Sequence, residues 1–215
     1  MTNLMESHGV PPSALNELEN AFMPALQFVT VTLPDHILYS GEIIHTGIYD
    51  LEVIWTPGHS SGHICLFEPQ NGLLFSGDHI LPTISPNISY HILSGDNPLG
   101  DYIHALNKLF NLPVNRIHPG HEYPFTDLKG RIKAILEHHR EREEQIQRLI
   151  DHRLHSSYEI ASTIKWEIAN TTWEQFPPVE KRMAVTEIMS HLEHMRWEGR
   201  LKKTIKDNRV YYSTI

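Results

Sequence analysis

From residue 43 to residue 76 the hydrophobic positions fall in short clusters rather than in helical stripes. Ile43-Ile44-His45 and residues 51–56, 63–68 and 73–76 are rich in Val, Ile, Leu, Phe and Trp, and Gly47, Pro57-Gly58, residues 69–72 and Gly77 separate them. Runs of this length, bounded by Gly and Pro, predict β-strands joined by tight connections. Asn71-Gly72 is a hairpin turn signal. After Pro98 the period changes: Tyr102, Leu106 and Phe110 recur at every fourth position and predict a helix over 99–110. Arg116-Ile117-His118 predicts a last short strand. Residues 127–152 predict a long helix with Ile132, Ile135, Ile146 and Leu149 as its apolar stripe. Its charged middle, 138–144, is expected to face solvent.

The two ends carry weaker signals. Ser13, after Pro11-Pro12, is expected to cap a helix over 13–22 with Leu15, Leu18 and Phe22 on one face. Residues 26–33 are apolar between prolines and fit no single period. In the tail, Ser156-Ser157 opens a helix expected to reach about residue 169 through Ile160, Ile164 and Ile168. Pro177-Pro178 marks a loop. A second helix over 179–197 places Ala184, Ile188, Leu192 and Met195 on one side, and Gly199 ends it. Residues 201–205 and 209–213 then flank Lys206-Asp207-Asn208 as a hairpin. Helices followed by a hairpin are the outline of a winged helix. About sixty residues make a marginal core, so this tail is expected to pack on the long helix. The division expected is a first domain over 1–127, a connecting helix over 128–155 and a winged-helix domain over 156–215.

Composition narrows the function classes. The chain of 215 residues has one cysteine, Cys65, so an internal disulfide is excluded and a reducing cytoplasm is expected. No stretch of eighteen apolar residues predicts a membrane span, and residues 1–10 do not read as a signal peptide. Charge is uneven. Residues 1–130 hold three bases, Lys108, Arg116 and Lys129, against thirteen acids; residues 131–215 hold fifteen bases and thirteen acids. The acidic front disfavours nucleic acid and would be offset by metal cations. The tail gathers Arg196, Arg200, Lys202, Lys203, Lys206 and Arg209 with Tyr211 and Tyr212 around its hairpin, a set that could contact phosphates and stack bases.

Three segments carry candidate chemistry. They are Thr56-Pro57-Gly58-His59-Ser60-Ser61-Gly62-His63, Phe75-Ser76-Gly77-Asp78-His79 and Ile117-His118-Pro119-Gly120-His121. In each, a strand ends, a glycine permits a sharp turn, and an Asp or His follows. Imidazole and carboxylate are the usual nitrogen and oxygen ligands of zinc. With sixteen histidines in the chain most cannot be ligands. His138, His139, His152 and His155 lie in charged sequence and are expected at the surface, with His191 and His194 at the surface or in packing. His63 and His79 neighbour the candidates and are expected to support them or to pack.

These three segments resemble the later metal motifs of the metallo-β-lactamase superfamily. The resemblance continues through Asn97-Pro98-Leu99-Gly100-Asp101-Tyr102 and Arg140-Glu141-Arg142-Glu143 into the tail, where it is similar to a subgroup with a C-terminal winged helix that includes a lactamase-like endoribonuclease. It implies an α/β fold, the C-terminal half of an αββα sandwich followed by a winged helix, and one or two zinc ions. By the resemblance, His59 would bind a first zinc, Asp78 would bridge and serve catalysis, and His121 would bind a second. The leading family motif, His-x-His-x-Asp-His, has no counterpart, and the chain holds no His-x-His pair. The expectation is therefore a zinc-dependent hydrolase of an ester, thioester, lactone or phosphodiester, truncated and weakly active or inactive as it stands. The alternative is a non-catalytic winged-helix protein that binds nucleic acid or forms a homodimer.

Overall fold

The computed structural model describes residues 2–22, 28, 30, 32–166 and 171–215. Residues 26, 27, 29 and 31 of the unassigned run 26–33, and Ile168, lie outside them. The chain forms two compact units: Leu33–Ile88 with Pro98–Arg140, and Met1–Thr32 with Ser89–Asn97 and Glu141–Ile215. Among the described residues no helix is long and apolar enough to cross a membrane.

The first unit is built on a five-stranded sheet in sequential order, β1 (Ile43–His45), β2 (Asp50–Trp55), β3 (Ile64–Glu68), β4 (Leu73–Gly77) and β5 (Arg116–Pro119). The first four strands pair antiparallel, and β5 lies parallel to β4. Side chains alternate between the faces, so the register separates two sets. Ile54, Cys65, Phe67, Leu74 and Ile117 are buried against Leu99, Tyr102, Leu106 and Leu109 of α3 (Pro98–Leu109) and against Leu128, Ile132 and Ile135 of α4 (Leu128–Leu149). Trp55, Ile64, Leu66 and Phe75 occupy the other face, where Trp55 remains 52% and Phe75 36% exposed. Phe75 there stacks on His118 with ring centroids 5.2 Å apart.

The second unit contains α1 (Thr2–Ser7), α2 (Pro12–Glu19), the end of α4, α5 (Ser157–Thr163), α6 (Pro178–Trp197) and the antiparallel pair β6 (Leu201–Lys206) and β7 (Arg209–Thr214). Met5, Val10, Leu18, Ile146, Ile150, Ile160, Ile188, Leu192, Leu201 and Tyr212 share one core. The hairpin turn is the two residues Asp207 and Asn208, at φ 51° and 59°. Positive φ at both central positions matches the right-handed strand twist. A buried carboxylate, Glu193, ties helix to hairpin. It accepts from Lys203 Nζ and Tyr212 Oη at 2.5 Å and from Arg196 Nε at 2.7 Å. Burial alone would raise its pKa, but these donors outweigh burial and hold it below the usual carboxylate range.

Several local expectations need correction. The helix α2 starts at Pro12 with Pro11, not Ser13, at its cap; proline's fixed φ suits the first helical position. Residues 2–7, for which no element was expected, form α1. The first tail helix stops at Thr163, and Ile164 is extended at ψ 140°. The charged middle of α4 is not uniformly solvated, because His139, Arg142 and Glu143 are buried. So is His155, which was expected at the surface; His191 is buried in packing, one of the two places expected for it.

Candidate metal centre

Sheet direction explains why the three glycine-linked segments meet. Because β2 and β4 both run antiparallel to β3, and β5 runs parallel to β4, the C-terminal ends of β2, β4 and β5 lie at one edge of the sheet. His59, Asp78 and His121 each follow one of these ends within a few residues. The structure brings all three together. His59 Nε2 lies 3.8 Å from Asp78 Oδ2, and His121 Nε2 lies 3.4 Å from Asp78 Oδ1. The two imidazoles thus face different oxygens of one carboxylate. His59 and Asp78 are about one-third exposed and His121 is 69% exposed.

The surroundings constrain these groups. His59 Nδ1 lies 3.0 Å from the Asn87 carbonyl, which can only accept, so Nδ1 carries the proton and a neutral ring leaves its lone pair on Nε2. His63 Nε2 accepts the Asp78 backbone N–H at 3.2 Å, and its Nδ1 pairs with Thr56 Oγ1 at 2.8 Å. His63 therefore supports the turn that carries Asp78. Its pKa is lowered, by burial first and then by His59, with Asp78 opposing. Glycine is required for close approach at two points. A Cβ on Gly77, which sits at φ +50°, would lie 2.6 Å from His63 Nε2, and a Cβ on Gly120 would lie 2.6 Å from Asp78 Oδ1.

His79 points into the protein. It is fully buried, both ring nitrogens lack a hydrogen-bond partner among the described residues, and burial pushes its pKa down to about 3. It packs edge-on against Tyr102 at 4.7 Å, while Tyr102 Oη donates to its backbone carbonyl at 2.7 Å. Cys65 is buried too, its thiol pushed up to about 12, and offers no thiolate at neutral pH. His118 belongs to β5 and stacks on Phe75.

Each imidazole–carboxylate pair, taken singly, has about the spacing of two ligands on one divalent ion. Bonds of about 2.0–2.1 Å at a tetrahedral angle put ligand atoms about 3.4 Å apart, close to the observed 3.4 and 3.8 Å. A carbonyl that orients a ligating imidazole through its second nitrogen is the usual outer support of such a ligand. A second group that sequence reading missed lies in the other unit: Glu143, His194 and Glu198 offer ligand atoms all within 4.8 Å of one another. No local motif links these positions, which come from α4, from the last turn of α6 and from the residue that caps it.

The profile of the Metallo-beta-lactamase superfamily matches residues 3–121, more than half of the chain. A Bacillus subtilis (strain 168) protein named Probable metallo-hydrolase YqjP is 28% identical over 176 residues, covering 79% of this chain and 52% of its own length. A hydroxyacylglutathione hydrolase of Nitrosococcus oceani is 38% identical over 92 residues, covering 41% of this chain and 34% of its own. Among solved structures, a metallo-beta-lactamase family protein from Thermus thermophilus is similar with a TM-score of 0.78 at 25% identity, covering 99% of this chain and 62% of that one. A beta-lactamase domain protein from Burkholderia ambifaria gives 0.83 at 25% identity, with 98% and 60% covered. The chain spans about half the length of the first of these curated relatives and about three-fifths of the two structures.

Proposed function

The chain belongs to the metallo-β-lactamase superfamily, and from that premise we propose that it carries part of the metal centre of a zinc-dependent hydrolase, with His59, Asp78 and His121 as ligands. The observation that carries this reading is the convergence of two imidazole Nε2 atoms on the two oxygens of one carboxylate, at the edge where three strands end. When bound there, a divalent ion would bring the pKa of bound water from 15.7 toward about 7 and polarise the oxygen under attack. The chain's own groups do the rest. The Asn87 carbonyl fixes the His59 tautomer, and His63 holds the backbone of Asp78. Asp78, facing both imidazoles, would hold such an ion with them, and its carboxylate would be available to take a proton from the attacking water. The substrate class is an ester, thioester, lactone or phosphodiester, since fold does not select among them.

The reading includes an incomplete site. Without a His-x-His-x-Asp-His motif the three ligands leave coordination open to solvent, so affinity and turnover are low. The half-open face bearing Trp55 and Phe75 supports a second sheet layer over it in the working protein, as in an αββα sandwich. We assign α5, α6 and the β6–β7 hairpin to a winged-helix-type unit. Equilibrium dialysis against zinc tests the proposal, with turnover of the four substrate classes assayed in parallel. Asp78→Asn and His121→Ala should each lower the zinc retained, and hydrolysis should stay far below about 1 s⁻¹, the low end for typical enzymes. Zinc retention indifferent to both substitutions would refute the ligand assignment. Turnover at an ordinary enzyme rate that survives Asp78→Asn would refute the assigned role.

A further inference from the structure

Glu143 is an unusual residue for the middle of a charged helix. Its side chain is only 10% exposed, and the two carboxylate oxygens have different surroundings. Oε2 accepts from Arg200 Nη2 at 2.6 Å. Oε1 is buried and accepts no hydrogen bond among the described residues. It faces His194 Nε2 at 3.9 Å and His191 Nδ1 at 4.0 Å. A buried carboxylate oxygen without a donor is costly, by about 1–3 kcal/mol or more for a charged group. Burial accordingly pushes the Glu143 carboxyl up to about 7, against the opposing pull of Arg200.

The groups around that oxygen are arranged as ligands and their supports. His194 Nε2 also lies 3.7 Å from Glu198 Oε1, four residues on along the same helical face. The other nitrogen of His194, Nδ1, pairs with Asn97 Oδ1 at 3.2 Å. If Nδ1 donates there, the Nε2 lone pair is directed at the two carboxylates. Burial lowers the His194 pKa, which favours the neutral ring a metal requires. Arg200 engages Oε2 of Glu143 and, through Nη1 at 3.2 Å, Oε2 of Glu198. It thus takes the outer oxygen of each carboxylate and leaves both Oε1 atoms facing His194.

We propose that Glu143 Oε1, His194 Nε2 and Glu198 Oε1 form a second divalent-metal site, of the zinc class, with Arg200 orienting both carboxylates and water completing the shell. One imidazole and two carboxylates suit zinc. The gaps of 3.9 and 3.7 Å exceed the roughly 3.4 Å of a tetrahedral set by about half an ångström or less. Glu198, 44% exposed at the end of its helix, can supply that movement. The carboxylate-paired guanidinium serves as the outer layer that orients both carboxylates. All of these residues lie within the second compact unit, so the site stands independently of the His59 centre.

The test uses the full chain carrying Asp78→Asn and His121→Ala, which silences the other centre. Zinc retained after dialysis is measured per chain, with cobalt(II) visible absorption as a check on geometry. This background should retain about one ion per chain. Adding His194→Ala or Glu198→Ala should weaken retention by at least about tenfold, and Arg200→Met should weaken it by a smaller factor. Glu198→Ala alters an exposed side chain and keeps the test decisive if His194→Ala fails to fold. Absence of bound zinc in the background chain would overturn the proposal, as would retention unchanged by Glu198→Ala.

Discussion

Gly120 shows how closely one residue can control another's function. Its Cβ position is 2.6 Å from Asp78 Oδ1 and 3.2 Å from the Gly77 carbonyl carbon, so no side chain fits while the carboxylate keeps its place. Gly120→Ala should therefore reduce zinc affinity about tenfold, the scale of a lost supporting contact, and calorimetric titration measures it. Affinity equal to the unmutated chain would show that Asp78 is not held there. His8 gives a second expectation. It is buried, its Nδ1 pairs with Ser157 Oγ at 2.8 Å, and burial lowers its pKa from 6.5 to about 4. A neutral ring favoured by folding contributes stability that is full above pH 6.5 and is lost as pH falls from 6.5 toward 4. Integrated, this is on the order of 3 kcal/mol. Urea titrations across that range should show the unmutated chain losing stability relative to His8→Asn; parallel pH profiles would contradict it. At this scale the meeting of His59, Asp78 and His121 was legible because each repeats the pattern of strand, glycine and a polar residue. Glu143 and His139 were not, since charged neighbours in sequence conceal burial imposed by packing.

Among the elements, the strands read correctly because cluster length and glycine breaks are local signals. The tail helix read too long for a tertiary reason. A continued helix would have bonded the amide of Lys165 to the Ala161 carbonyl; instead the Trp166 indole Nε1 donates to that carbonyl at 2.8 Å, and the Arg142 guanidinium sits 4.2 Å from the Trp166 ring centroid. A partner outside the helix took its acceptor, and hydrophobic spacing at Ile160 and Ile164 cannot reveal that. The start of the same helix was legible. Ser156 Oγ accepts from the Glu159 N–H at 3.2 Å, the bond that an N-cap serine makes. Ser156→Ala should cost about 1 kcal/mol in chemical denaturation. A change within error would mean that solvent satisfies the freed amide equally well.

At the scale of the whole chain, the first unit offers a five-stranded sheet with helices on one face and a half-open apolar face on the other, and the chain spans about half the length of one curated relative and about three-fifths of two solved structures. The mixed α/β class was legible in the sequence, from the strand clusters and amphipathic helices together with the metal-motif resemblance. The assignment of residues to compact units was not, since Met1–Thr32 and Ser89–Asn97 join the tail through long-range packing that no local period records. The central claim is that the edge where β2, β4 and β5 end holds a metal ion for hydrolysis. Anomalous diffraction at the zinc edge, from crystals of this chain equilibrated with zinc, locates the ion directly. The account predicts a peak at about 2.0–2.2 Å from His59 Nε2, an Asp78 oxygen and His121 Nε2, or from two of these three. Zinc bound elsewhere on the chain, with no peak between these side chains, would contradict it.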